Sequence, residues 1–183
     1  MSFSRLPLER VVDVLLGLDD ASLGRACQTD TYVNSICQDD WFWRLKVERR
    51  FGGEVIQYKP SNETFFQQYQ YLLRTSDPNV ESERGRLDAL IVLERRGVLP
   101  GVIGANWAAA KGHLQILEWL DQRGVRPSVL GANLTADNGH LQVLEWLERR
   151  GVLPGVLGAN WAADNGHAQV SNWLAQRGIY SIR

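Results

Sequence analysis

Lysine, methionine and cysteine are scarce in this chain, and no part of it is apolar for long. Lys46, Lys59 and Lys111 are the only lysines among 20 basic side chains, Met1 is the single methionine, and Cys27 and Cys37 are the only cysteines in 183 residues. No apolar run approaches the roughly 18 residues that a membrane-spanning helix requires. Residues 1–5 lead into a short amphipathic stretch rather than the apolar core of a secretory leader, so an intracellular, cytoplasmic protein is expected. The 20 basic and 21 acidic side chains nearly cancel, leaving no electrostatic footprint for nucleic acid or an anionic membrane. With no second Cys or His at metal-ligand spacing, Cys27 and Cys37 are expected as buried thiols.

Catalytic signatures are also missing. His113, His140 and His167 are the only histidines, and all three fill one slot of an internal repeat. Their spacing is therefore that of stacked helices, near 10 Å per layer, well beyond the ~4 Å that two ligands of one zinc share. No glycine-rich phosphate loop follows a strand pattern, and no nucleophile elbow or carboxylate pair stands out. A non-enzyme with no catalytic residue, metal or cofactor is expected.

What is present is a repeat. Gly85-Arg86-Leu87, Gly112-His113-Leu114, Gly139-His140-Leu141 and Gly166-His167-Ala168 follow one another at intervals of 27 residues, the signature of stacked supersecondary units. In the second unit the apolar side chains of residues 114–120 cover an arc of roughly 220° at 100° per residue, so the helix needs neighbours on two sides. Each such helix closes with Arg, then Gly at 97, 124, 151 and 178, with Pro at 100, 127 and 154, a Schellman-type stop. A shorter helix runs through Asn106-Trp107-Ala108-Ala109-Ala110 and its copies from Asn133 and Asn160, whose small residues permit close packing. Asp77-Pro78 supplies an N-cap and a first-turn proline for a polar capping helix. Ala168, Ser171, Asn172 and Ala175 replace apolar and acidic residues in the last unit.

These residues resemble the ankyrin repeat. Ala108-Ala109, Gly112-His113, Ile116-Leu117, Leu120 and Gly124 fall in register with it, although the period is 27 residues against about 33 in the family. The missing residues lie between Gly124 and Asn133, where the family carries projecting hairpins, so blunt loops are expected. Asn79, Asn106, Asn133 and Asn160 occupy the family's bridging-histidine slot and are read as a structural hydrogen-bond ladder. The target-binding face is expected at positions that vary between units: Ala110-Lys111, Asp137-Asn138 and Asp164-Asn165 at the turns, with Leu99, Arg126, Leu153 and Tyr180 in the loops. The acidic copies favour a target with some basic character.

Residues 5–45 carry short apolar clusters around Leu6-Pro7-Leu8-Glu9, Val11 to Leu18, Leu23, Tyr32 to Cys37 and Trp41-Phe42-Trp43, which predict three short helices. Asp19-Asp20 and Asp39-Asp40 mark two helix starts. The ordered set Leu6-Pro7-x-Glu9, Val14-Leu15-x-x-Leu18-Asp19, Ser22-Leu23, Cys27, Tyr32, Ile36-Cys37, Asp39-Asp40 and Trp43-Arg44 resembles an F-box, with Tyr32 where that family usually has tryptophan. The resemblance implies docking on the small Skp-type adaptor of a cullin ubiquitin ligase through Leu6, Pro7, Leu15, Leu18 and Leu23. Residues 61–74, with Ser61 as N-cap, predict a connecting helix, and Gly52-Gly53 to Pro60 a hinge.

The expected architecture is all-α: an F-box-like domain over 1–45, a linker with a connecting helix over 46–76, and an ankyrin-like α-solenoid over 77–183, in units 77–103, 104–130, 131–157 and 158–183. It is similar to F-box/ankyrin proteins of large DNA viruses, which would place it in host cytoplasm. The function this implies is a substrate-receptor adaptor, monomeric before assembly, that links an unidentified target protein to the ligase. Scarce lysine would limit self-modification of such an adaptor, and compositional bias accounts for it equally well. The alternative is a plain ankyrin-type scaffold whose N-terminal helices only cap the stack.

Overall fold

A computed structural model describes residues 6–182; residues 1–5, read above for leader character, lie outside the described residues. Among the described residues there are thirteen α-helices, one 3-10 helix and no strand. No helix among them is long and apolar enough to cross a membrane. The chain divides into two compact units between Arg74 and Thr75.

The first unit holds α1 (Leu8–Gly17), α2 (Asp20–Thr29), α3 (Thr31–Gln38), α4 (Asp40–Phe51), a 3-10 helix (Gly53–Tyr58) and α5 (Phe65–Arg74). Four helices thus stand where three were expected. The extra start is Asp30, whose carboxylate accepts from the Tyr32 and Val33 amides at 2.9 and 3.1 Å and so allows α3 to begin with a single residue between it and the end of α2. Asp19 caps α2 by accepting from Ser22 N at 2.8 Å, and these bonds hold its carboxyl below the usual range. Helix α5 starts not at Ser61 but after Thr64: Gln67 N donates to Thr64 Oγ1, and Thr64 N donates back to Gln67 Oε1. That reciprocal pair is a capping box.

Position 45/46, expected as a domain edge, falls inside α4, and α4 packs on both α5 and the 3-10 helix. The stretch from Gly52 to Pro60 is packed as well. Val55 is buried, and its carbonyl accepts from Gln68 Nε2 at 3.2 Å. The core joins Val11 and Leu15 of α1 to Val33, Phe42 and Val47. Beside it the Trp43 ring lies 4.6 Å from Phe66 and 5.4 Å from Tyr69. Lys46 is buried beneath α1 and donates to the carbonyls of Leu16 and Leu18 at 3.2 and 2.7 Å. A cation there satisfies C-terminal acceptors of α1, and burial lowers its pKa.

Cys27 and Cys37 are not free thiols but a disulfide between α2 and α3, with Cα atoms 6.0 Å apart. The single-residue connection at Asp30 lets the two helices pack together, which sequence spacing did not disclose. Disulfides persist in oxidising surroundings, so this pair lends nothing to an expectation of reduced thiols.

The second unit is a stack of four helix pairs: α6 (Pro78–Arg84) with α7 (Leu87–Arg95), α8 (Val102–Ala110) with α9 (Leu114–Asp121), α10 (Val129–Asp137) with α11 (Leu141–Glu148), and α12 (Val156–Asp164) with α13 (Ala168–Ala175). The first helices of the pairs form one row, α6 on α8, α8 on α10 and α10 on α12. The buried residues of α8, α10 and α12 are Gly, Ala and Asn with one Thr, Thr135, and these small side chains let the backbones approach closely. Asp77 caps α6 by accepting from Asn79 N and Val80 N, with Pro78 in its first turn. Helix α7 ends as the Schellman pattern requires: Gly97 has φ of 77°, Gly97 N donates to Glu94 O at 2.8 Å and Val98 N to Leu93 O at 3.0 Å. The same left-handed glycine recurs at 124, 151 and 178.

Candidate functional site

Three side-chain ladders tie the pairs together, which decides what is left over for binding. The first uses asparagine. Asn106 Oδ1 accepts from Ser128 N and Asn133 Oδ1 from Gly155 N, both at 2.8 Å, Asn160 Oδ1 from Ile182 N at 3.0 Å, and Asn79 Oδ1 from Gly101 N at 3.3 Å. The amides of Asn79, Asn106 and Asn133 therefore hold the backbone leading into the next unit, and Asn160 holds the segment that follows α13, which is the structural role read from the sequence.

The second ladder uses histidine. The rings of His113, His140 and His167 lie against Gly85, Gly112 and Gly139 of the preceding unit, where an added Cβ would meet ring atoms at 2.8, 2.9 and 2.6 Å. His113 Nε2 also bonds Glu83 O at 2.9 Å. Burial, reinforced by the charge of His113, pushes the His140 pKa down. All three imidazoles are thus packing elements, and no group of three or more His, Cys, Asp or Glu side chains that could hold a metal ion occurs among the described residues.

The third ladder was not read from the sequence. Arg123 makes a two-pronged pair with Glu94, from Nε at 2.7 Å and Nη2 at 2.8 Å, while Nη1 donates to Trp119 O and the guanidinium lies 3.8 Å from the Trp119 ring centroid. Arg177 repeats this on Glu148 and Trp173. Arg150 makes the same stack on Trp146 at 3.7 Å with a single prong, Nε donating to Asp121 Oδ2 at 2.8 Å, while Nη1 donates to Trp146 O. A bidentate ion pair fixes a guanidinium plane, and that plane then covers the indole face. Asp121 also accepts from Arg126 Nε at 2.5 Å, and the two arginines hold its carboxyl below the usual range. At the slot of Glu94, Asp121 and Glu148 the last helix has Ala175.

With those groups committed to structure, the predicted target residues separate. Ala110 is only 2% exposed and drops out as a contact. Lys111, Asn138, Asp164 and Asn165 are exposed and Asp137 half-buried along one edge, the C-terminal ends of α8, α10 and α12. Asn165 Nδ2 donates to Asp137 Oδ1 at 2.7 Å, and Lys111 Nζ lies 3.9 Å from Glu83. Leu99, Arg126 and Tyr180 are exposed and Leu153 half-buried in the connecting segments. No hairpin projects from these segments among the described residues, in keeping with blunt loops.

The surface that stands out was missed. Ile103, Leu130 and Leu157, at one repeat slot in the first turns of α8, α10 and α12, are 64%, 54% and 58% exposed. One turn on, Trp107 is exposed, and Leu134 and Trp161 are half-buried. Their helices bury Gly, Ala and Asn, with Thr135 in α10, away from this face. A helix apolar all round is ordinarily enclosed; these three leave one apolar face to solvent. Contiguous apolar exposure of this kind is uncommon on the surface of a monomer.

In the first unit, the five residues expected to face an adaptor do not share one surface. Leu15 and Leu23 are 0% and 2% exposed, core residues that no partner reaches without unfolding. Leu6 and Pro7 are exposed and Leu18 half-buried. Leu8 and Val14 are the exposed apolar side chains of α1. A groove of about 570 Å³ opens between α2, α3, α4 and α5, walled by Leu23, Trp43, Phe66, Tyr69 and the disulfide, with Asp20 and Asp40 among its polar groups. Asp20 accepts a short hydrogen bond from the Tyr69 hydroxyl and a 3.0 Å contact from Arg50. Burial and the Asp20 bond raise the Tyr69 pKa.

No protein-family model matches this sequence, and no curated protein matches it.

Proposed function

We propose that this protein is a non-catalytic adaptor whose stacked helix pairs, read as ankyrin-like repeats with clipped fingers, hold a target protein. Its first unit, read as an F-box-like domain, would recruit the Skp-type adaptor of a cullin ubiquitin ligase. The observation that carries the binding half is the repeated apolar face across α8, α10 and α12, with Ile103, Leu130 and Leu157 exposed beside Val102, Val129 and Val156, on a scaffold whose repeated Asn, His and Arg side chains are committed to ladders. Function then lies in holding two proteins at high effective concentration. The recruiting half rests on the sequence pattern around Leu6-Pro7 and on the exposure of those residues.

Purified chain immobilised on beads and offered a Skp-type adaptor tests the recruiting half. Capture that is abolished by Leu6→Ala with Pro7→Ala is the expected result. No capture, or capture unchanged by that double substitution, overturns it. A second reading is favoured by the burial of Leu15 and Leu23 and by the disulfide: a plain binding scaffold whose N-terminal unit is a separate helical domain with no tie to ubiquitin transfer. That scaffold would retain target binding while ignoring the adaptor.

A further inference from the structure

We infer that the exposed face of α8, α10 and α12 takes an amphipathic α-helix of its partner, apolar at two positions of each heptad and basic along one edge. This rests on the reading of the stack as a protein-binding surface and specifies what that surface holds.

The first ground is metric. Helices packed through Gly and Ala lie about 8–10 Å apart, so the rows Ile103/Leu130/Leu157 and Trp107/Leu134/Trp161 repeat at about that interval. Seven residues of α-helix rise about 10.5 Å. A partner helix crossing the stack therefore returns an equivalent side chain to each successive unit. The second ground is that the rows Ile103/Leu130/Leu157 and Trp107/Leu134/Trp161 stand one helical turn apart, with the exposed Val102, Val129 and Val156 beside the first of them. Residues four apart on α8, α10 and α12 are separated by about 6 Å, close to the 5–6 Å between neighbouring i, i+3 and i, i+4 side chains on the partner. A heptad with two apolar positions fills both rows at once. A polyproline helix, rising about 9.3 Å per three-residue turn, presents one residue per turn to a given face and leaves the second row unfilled.

The third ground is charge. The edge nearest Trp107, Leu134 and Trp161 is formed by the C-terminal ends of three helices, whose carbonyls carry partial negative charge. Asp137 and Asp164 sit at two of those ends, and Lys111 follows the third. Lysine or arginine beside the apolar stripe of the partner complements this edge over the third and fourth units, where Asp137 and Asp164 stand.

The test uses a fluorescein-labelled peptide of about 18 residues with leucine at two positions of each heptad, lysine along one flank, and glutamine and alanine elsewhere. Binding to the full-length protein is read by anisotropy beside three controls: the same composition in permuted order, the flank changed to glutamate, and a proline-rich peptide of equal length. The heptad peptide is expected to bind at least about tenfold more tightly than each control. Leu130→Asp is expected to weaken it about tenfold or more, as loss of a central apolar anchor does, with an unchanged circular dichroism spectrum because Leu130 packs into no core. Equal affinity for the permuted peptide, tighter binding of the proline-rich one, or indifference to Leu130→Asp overturns the inference. The adaptor reading is judged apart from this by the capture experiment on Leu6 and Pro7.

Discussion

Replacing Gly131 with alanine should destabilise the stack, although the same change inside an ordinary helix stabilises it. Gly131 lies in the first turn of α10, and alanine there would gain about 0.5–1 kcal/mol from helix propensity. Its Cβ, however, would fall 2.5 Å from Asn106 Oδ1, 3.0 Å from Pro127 Cβ and 3.1 Å from Asn106 Cα. The last of these is backbone, so a side-chain rotation does not relieve it. Moving Asn106 breaks the 2.8 Å bond from Ser128 N, a loss of about 1 kcal/mol, and overpacking adds about 1–3 kcal/mol. The net is a destabilisation of about 1–3 kcal/mol. With a urea slope of about 1–3 kcal/mol/M, the unfolding midpoint should fall by about 0.5–1.5 M. Urea titration of the full chain followed by tryptophan fluorescence reads this, since Trp107, Trp119, Trp146, Trp161 and Trp173 report on the stack. Gly24→Ala in α2, where nothing lies within 4 Å of an added Cβ, serves as the opposite control and should stabilise by about 0.5–1 kcal/mol. In an Asn106→Ala background the cost of Gly131→Ala should shrink by about 1 kcal/mol, because the two positions couple directly. A Gly131→Ala protein as stable as the parent refutes the close-approach account of the ladder.

Arg150→Gln removes the pair with Asp121 and uncovers the Trp146 ring, and should cost about 1 kcal/mol, while Arg149→Gln on the exposed side should stay within about 0.5 kcal/mol; equal thermal shifts for the two would discard the third ladder. The depressed His140 pKa makes the unfolded chain bind a proton that the folded chain refuses just below the ordinary histidine value of about 6.5. The stabilising contribution is therefore complete above about pH 6.5 and is lost as pH falls toward the folded-state value. The melting temperature should drop between about pH 7.5 and 5.5, and drop less in His140→Gln; identical drops would exclude His140 as the source. Reduction of Cys27–Cys37, which closes a loop of 10 residues, should destabilise the first unit by about 2–3 kcal/mol on the chain-entropy model. Recovery of two reactive thiols per chain from unreduced, denatured protein would show that the bridge does not form.

What the sequence disclosed follows the reach of its periodicities. Helix pairs, their glycine stops and the asparagine ladder are each one column of the 27-residue self-alignment, and a column declares its role when its residue type admits few roles. The arginine ladder escaped for a geometric reason: Arg123 pairs with Glu94, 29 residues back, and stacks on Trp119, four residues back. Its three members, Arg, acidic residue and Trp, occupy three different columns, and nothing in any one column announces the other two. Cys27–Cys37 escaped because no spacing rule orients α3 against α2. Thr64 displaced Ser61 as the cap because the Gln67 side chain completes a reciprocal pair only with Thr64.

The miss at Ile103, Leu130 and Leu157 has a different origin. Positions that vary between units were expected to meet the target, on the premise that a residue kept in every unit is kept for the stack. That premise holds for Asn106 and His113, whose partners lie in adjacent units. It fails where the ligand is itself periodic, because a ladder of equivalent contacts then selects the same residue in each unit. Aliphatic side chains at 103, 130 and 157, exposed on helices whose buried faces are already filled by Gly, Ala, Asn and Thr135, have no packing duty that would explain their recurrence. Their constancy argues for a repeating partner, whereas a partner of irregular surface would have left these slots free to diverge, as the neighbouring Ala110-Lys111, Asp137-Asn138 and Asp164-Asn165 have done.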